Sequence, residues 1–222
     1  MSQQSTNDFY DQQYRQHRDG QSVCQNSVHD LGKARRRVRN VVSAFDLKVC
    51  GPAVEILDVG CGLGYYSSAL AADGAKVTGI DLSKIGVEVA QATFPNCEFR
   101  FAAWPQQVEP TRKFDVIWAV DLSVINTFDL EIIRKNFVDE ALIRLKPGGW
   151  LVVGWSTDFS GAVKGNWSHW SVPMLRKLRQ QHGFSAPLVA ETRSLWLSAA
   201  MIRAGALVGR SMPIFLVKRN SP

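Results

Sequence analysis

At 222 residues, with 45% hydrophobic residues, the chain is sized and composed for one globular α/β-scale domain rather than a disordered or fibrous protein. Its net charge of +6 and sequence pI of about 9.3 leave nucleic acid or an acidic partner open. No apolar run approaches a membrane span, and Cys24, Cys50, Cys61 and Cys97 are too scattered for a disulfide framework or metal spacing.

Residues 1–30 are rich in Gln, Asn and Ser, with aromatics at Phe9, Tyr10 and Tyr14. The opening stretch lacks an apolar signal core, so a cytoplasmic location is expected. A basic run follows at Lys33, Arg35, Arg36, Arg37 and Arg39, leading into Val41-Val-Ser-Ala-Phe45. It reads as a basic amphipathic helix, either a solvated face or a phosphate-attracting surface.

The next segment carries the most chemistry. Glu55-Ile-Leu-Asp-Val-Gly-Cys-Gly-Leu-Gly64 is an apolar strand (55–59) that ends in alternating glycines, and 65–72 reads as a helix. Glycines there let backbone approach a ligand where a Cβ would collide. A strand, glycine turn and helix form a nucleotide-type corner. A second strand at 76–80 ends at Asp81, which lies 17 residues after Gly64. Its two oxygens match the vicinal hydroxyls of a ribose. Both NAD and S-adenosylmethionine fit that acid. The glycine spacing favours the second: Gly60, Gly62 and Gly64 alternate, and Tyr65 stands where a dinucleotide pattern places its last glycine. Asp58, just before the loop, suits a ligand that carries an ammonium group.

Further strands are expected at 98–101, 114–118 and 150–154, alternating with helical stretches. Between the last two lies an amphipathic helix at 130–145, stopped by Lys146-Pro-Gly-Gly149. Residues 155–172 read as a long loop rich in Gly, Ser and Trp that contains His169 between Trp167 and Trp170. A short basic helix at 173–182 follows. Residues 188–197 and 213–218 read as a closing strand pair, and the stretch 198–211 between them is a short helix or a contact surface. His17, His29, His169 and His182 are too dispersed for a metal, and none is expected.

Four blocks in order give the chain a resemblance to the class I S-adenosylmethionine-dependent methyltransferases. They are Ile56-Leu-Asp-Val-Gly-Cys-Gly-Leu-Gly64, Val77-Thr-Gly-Ile-Asp-Leu82, Phe114-Asp-Val-Ile-Trp118 and Leu145-Lys-Pro-Gly-Gly-Trp-Leu-Val-Val153. The resemblance implies a single Rossmann-like domain: a mostly parallel seven-stranded sheet with an antiparallel C-terminal strand and helices on both faces. It implies S-adenosylmethionine as cofactor, with Asp58, Gly60, Cys61, Gly62, Gly64, Asp81, Leu82, Ala103, Trp104 and Val120 around it. A segment placed like 1–40 often closes over the cofactor in this family, so a lid using Tyr10, Tyr14 or His29 is expected, on a methyltransferase domain at 41–222.

Three departures matter. Val120-Asp-Leu-Ser123 replaces the Asn/Asp-Pro-Pro-aromatic motif of many amino-directed nucleic-acid methyltransferases. Val124 and Ile125 stand where many relatives carry a histidine. Ala102-Ala-Trp104 replaces an acid that often reads adenine. Asp121, Ser123 and His169 are the candidate catalytic residues, for orienting or deprotonating a hydroxyl. The expected activity is methyl transfer to a small molecule, at a hydroxyl of a sugar or secondary metabolite. Alternatives are RNA or protein methylation through the basic run, a cofactor-binding protein without catalysis, or an NAD enzyme. No membrane partner is expected, and the protein is read as a monomer or homodimer.

Overall fold

The computed structural model describes residues 3–19 and 29–221. Cys24, and residues 20–28 of the expected lid, lie outside the described residues. Seven strands form one sheet in the order β3-β2-β1-β4-β5-β9-β8. Here β1 is Glu55–Val59, β2 Lys76–Asp81, β3 Glu98–Phe101, β4 Phe114–Val120, β5 Leu145–Thr157, β8 Leu188–Val189 and β9 Met212–Arg219. The first five are mutually parallel, and β9 runs antiparallel to both β5 and β8. Because β1 lies between β2 and β4, the chain reverses its direction of winding there. A crevice opens at the carboxyl ends of such strands.

The strands read as continuous apolar runs because helices cover both faces. In β4, Val116 and Trp118 join one core with Ile56, Val77 and Val152. Ile117 and Ala119 point the other way, into a core with Leu57, Val59, Leu151 and Val153. Helix α2 (Leu31–Phe45) seals the first core through Ala34, Val38 and Val41. The second is covered by Phe137 and Ala141, and by Leu175 and Leu178 of α7 (Val172–His182).

Three elements differ from their sequence reading. The helix expected at 130–145 is α5 (Leu130–Ile133), a π turn (Arg134–Val138) and α6 (Asp139–Arg144) in succession. The expected loop after β5 begins only past Thr157, and it carries a small hairpin of β6 (Val163–Lys164) and β7 (Trp167–Ser168). The expected strand over 188–197 is a correction: β8 is two residues long, and α8 (Leu195–Arg203) follows. The Ser194 hydroxyl caps that helix by accepting the Leu197 N–H at 3.1 Å, and serine at an N-cap starts helices. The remaining helices are α1 (Gln3–Arg18), α3 (Tyr65–Leu70) and α4 (Lys84–Thr93).

Candidate active site

A cavity of about 530 Å³ lies at the carboxyl ends of β1, β2 and β4, within the usual range for small-molecule sites. The β1–α3 loop forms its floor through Gly60, Cys61 and Gly62. Gly62 has φ +52, and a Cβ there would stand 2.7 Å from the Tyr14 hydroxyl oxygen. The turn therefore needs glycine for both its conformation and the space above it.

Asp81 lines the cavity at the end of β2. One carboxylate oxygen accepts the Gly62 N–H at 2.8 Å, and the other accepts the Ser83 N–H at 2.8 Å. Each oxygen has a second lone pair to offer a ligand hydroxyl. Burial pushes this carboxyl up, and the backbone donors oppose the shift. Leu82 and Val120 line the same space. The loop, the acid and the volume together fit the adenosine and amino-acid parts of S-adenosylmethionine.

Asp58, Gly64 and Ala103 do not line the cavity. Asp58 is buried beneath the loop and accepts the Ser67 hydroxyl at 2.6 Å. Burial lifts its carboxyl to about 7, against the hydrogen bond from Ser67. Gly64 begins α3 and packs against the Phe99 ring. The Ala103 N–H is used by the Gln107 side chain at 2.6 Å. Trp104 does line the cavity, and three contacts fix its ring. Its indole N–H donates to the Asn136 carbonyl at 3.3 Å, its ring lies 5.8 Å from that of Phe137, and the Arg144 guanidinium sits 5.3 Å from its centroid. Arg144 is itself buried, and it donates to the Val108 and Pro105 carbonyls, which pins the 104–108 segment.

Helix α1 covers the cavity. Phe9, Tyr10, Gln13 and Tyr14 line it. The Ser83 hydroxyl donates to Asp11, and Ser83 also caps α4 by accepting the Gly86 N–H at 3.0 Å. Tyr14 is buried against Gly62 and Gly86. His29 lines the cavity beside Tyr65, at 6.3 Å between ring centroids.

Past β4, Asp121 and Ser123 both line the cavity. Asp121 has φ 53, which is unusual outside glycine. Its N–H is held by the Gly154 carbonyl at 2.9 Å, and its carboxylate accepts the Ser156 N–H at 3.2 Å. Burial lifts this carboxyl to about 7, countered by that backbone bond and by the charge of Arg37. A carboxyl poised there can take or hold a proton at neutral pH. His169 is not among the lining residues. Its Nδ1 accepts the Asp158 N–H at 3.1 Å, inside the turn that follows β5. Trp167 from the same hairpin does line the cavity, and Asn126 ties the hairpin down by donating to the Asn166 carbonyl and accepting the Ser168 N–H.

Sequence reasoning missed Tyr66, Lys135, Asn136 and Glu140, all of which line the cavity. The last three come from the stretch read as one amphipathic helix, Lys135 and Asn136 from its π turn and Glu140 from α6. Tyr66 could have been found from its place one residue past the expected glycine position. The basic run does not present a free surface throughout: Arg36 and Arg37 both pair with Glu191, and Arg37 also donates to the Tyr66 hydroxyl at 3.4 Å.

A family model described as a methyltransferase domain matches residues 56–149. Over 135 residues the chain is 36% identical to a 2-methyl-6-phytyl-1,4-hydroquinone methyltransferase of Synechocystis sp., covering 59% of this chain and 40% of that protein. It is 35% identical over 101 residues to a ubiquinone biosynthesis O-methyltransferase of Methylobacterium nodulans, covering 44% and 39%. The chain thus spans about two-fifths of the length of these two relatives. The crystal structure of a Synechocystis magnesium protoporphyrin IX methyltransferase with bound S-adenosylhomocysteine shares the fold, at TM-score 0.66 and 17% identity, over 99% of this chain and 100% of that one.

Proposed function

We propose that the chain is a class I S-adenosylmethionine-dependent methyltransferase and that it methylates a hydroxyl oxygen on a small aromatic acceptor. The observation that carries this reading is Asp121: a carboxyl raised to about 7, held in an unusual backbone conformation, and facing the cavity beside the glycine loop. Aromatic lining from Trp104, Trp167, Tyr10 and Phe9 supports a planar acceptor. One relative is named for a hydroquinone and another as a ubiquinone biosynthesis O-methyltransferase; the second name favours a phenolic hydroxyl over the sugar hydroxyl expected from sequence.

When bound, S-adenosylmethionine supplies an electrophilic methyl group on a sulfonium centre. Asp81 offers both oxygens to the ribose hydroxyls, and Gly60 and Gly62 let the backbone come close. The Asp121 carboxylate takes the proton of the acceptor hydroxyl, and Ser123 orients that hydroxyl. Helix α1 and the β6–β7 hairpin exclude water, so that much of the rate comes from orientation.

The test is transfer of labelled methyl from S-adenosylmethionine to a panel of phenols, sugars and RNA by the purified chain. Incorporation into phenols, lost in Asp121→Asn while S-adenosylhomocysteine still binds, is the expected result. Binding without transfer to any acceptor would make this a cofactor-binding protein. Transfer into RNA alone would replace the small-molecule reading.

A further inference from the structure

Outside the cavity, one surface stands apart. Helix α8 and the turns after it expose Trp196 at 79%, Leu197 at 42% and Val208 at 61%. A single exposed aliphatic needs no explanation, but an exposed tryptophan on a segment that exposes two more large apolar side chains does. The charge of this segment has one sign. Residues 192–211 contain Arg193, Arg203 and Arg210, and no aspartate or glutamate. The nearest acid in sequence, Glu191, is already paired with Arg36 and Arg37.

The topology fixes where this patch lies. Met212 at the start of β9 pairs with Thr157 at the end of β5, and Val189 of β8 pairs with Ile214. The Gly209 N–H also donates to the Asp158 carbonyl at 2.9 Å. The 195–211 excursion therefore leaves and re-enters the sheet at the carboxyl ends of the parallel strands, the same end as the cavity.

We propose that this patch docks the protein onto an anionic lipid surface. Tryptophan and leucine settle at the boundary between headgroups and acyl chains, and flanking arginines meet anionic headgroups. Charge complementarity favours this occupant: the excursion carries Arg203 and Arg210, both exposed, and no acid of its own. The contact is interfacial, since among the described residues no helix is long and apolar enough to cross a membrane. It stands independently of the proposed methyl transfer.

The test is co-sedimentation of the full chain with phosphatidylcholine vesicles, with and without about 30% phosphatidylglycerol. The expected result is binding to the anionic vesicles and little to the neutral ones. Arg203→Gln with Arg210→Gln should lower the partition coefficient roughly twenty-five-fold, at about fivefold per surface cation. Trp196→Ala with Leu197→Ala should abolish binding, while unchanged S-adenosylhomocysteine affinity and circular dichroism show intact folding. Three results would overturn the proposal: no binding to either vesicle, binding that both variants retain, or sedimentation velocity showing a dimer that Trp196→Ala dissociates. The last would assign the patch to a second copy of this chain.

Discussion

Two carboxylates, at the ends of β2 and β4 on either side of β1, line the cavity. Asp81 is held by two backbone donors, so its geometry is set before any ligand arrives. We predict that Asp81→Ala weakens S-adenosylhomocysteine binding by about 1–3 kcal/mol, the cost of leaving buried polar partners unmatched. Calorimetric affinity equal to the parent would remove the ribose assignment. Asp121 accepts a single backbone N–H and is raised to about 7 by burial. As a base it works only when ionised, so kcat/KM should climb as pH rises through about 7 and then level off. Asp121→Asn should flatten that limb and lower kcat by roughly a hundredfold, the lower end of what a positioned base contributes. A pH profile of the same shape in the variant would exclude this residue as the base. Asp121 was legible in the sequence because it follows a strand end. His169 was singled out for its type and its tryptophan neighbours. Where its ring would turn depended on the Asp158 N–H, a contact that no local pattern announces.

At the scale of elements, the glycine loop and helix α1 are one device. The loop brings Gly62 under Tyr14 with no room for a methyl group, and Asp11 anchors the helix to the cap of α4. Gly62→Ala should therefore do two things. It strains a backbone with positive φ, by about 1 kcal/mol for a non-glycine residue, and it pushes Tyr14 outward. We expect roughly tenfold weaker S-adenosylhomocysteine binding and faster proteolytic cleavage within residues 3–19, with partial recovery in Gly62→Ala/Tyr14→Phe. Unchanged protease sensitivity would separate the helix from the loop. The β1, β2 and β4 strands were readable because burial on both faces forces uninterrupted apolar runs. The π turn at Arg134–Val138 was not, since periodicity cannot see one extra residue in a turn. It is that turn which accompanies Lys135 and Asn136 on the cavity wall.

For the whole molecule, two acids with raised carboxyls bear on stability. Asp58 and Asp121 both have folded values near 7, well above the ordinary 3.8. Each favours the folded state in its protonated form. That contribution is complete below the unfolded value, near pH 4, and is lost as pH rises through about 7. We expect the ligand-free protein to lose resistance to urea between about pH 4 and pH 7, with a smaller loss in Asp58→Asn. A pH-independent unfolding midpoint in the parent would show that neither acid is raised.

The apolar strand runs, the alternating glycines and the two strand-end acids by themselves determined the parallel sheet, the cofactor corner and the position of Asp81. These are local signals, since strand burial and tight turns constrain the residues that make them. Tertiary structure decided which residues meet across the crevice. It brought Tyr14 over Gly62 from 48 positions away in the sequence, fixed Trp104 against Arg144, turned His169 into its own loop, and made a helix of residues expected to form a strand. Those outcomes depend on packing between distant segments, where a single hydrogen bond or a shared core decides which way a side chain faces.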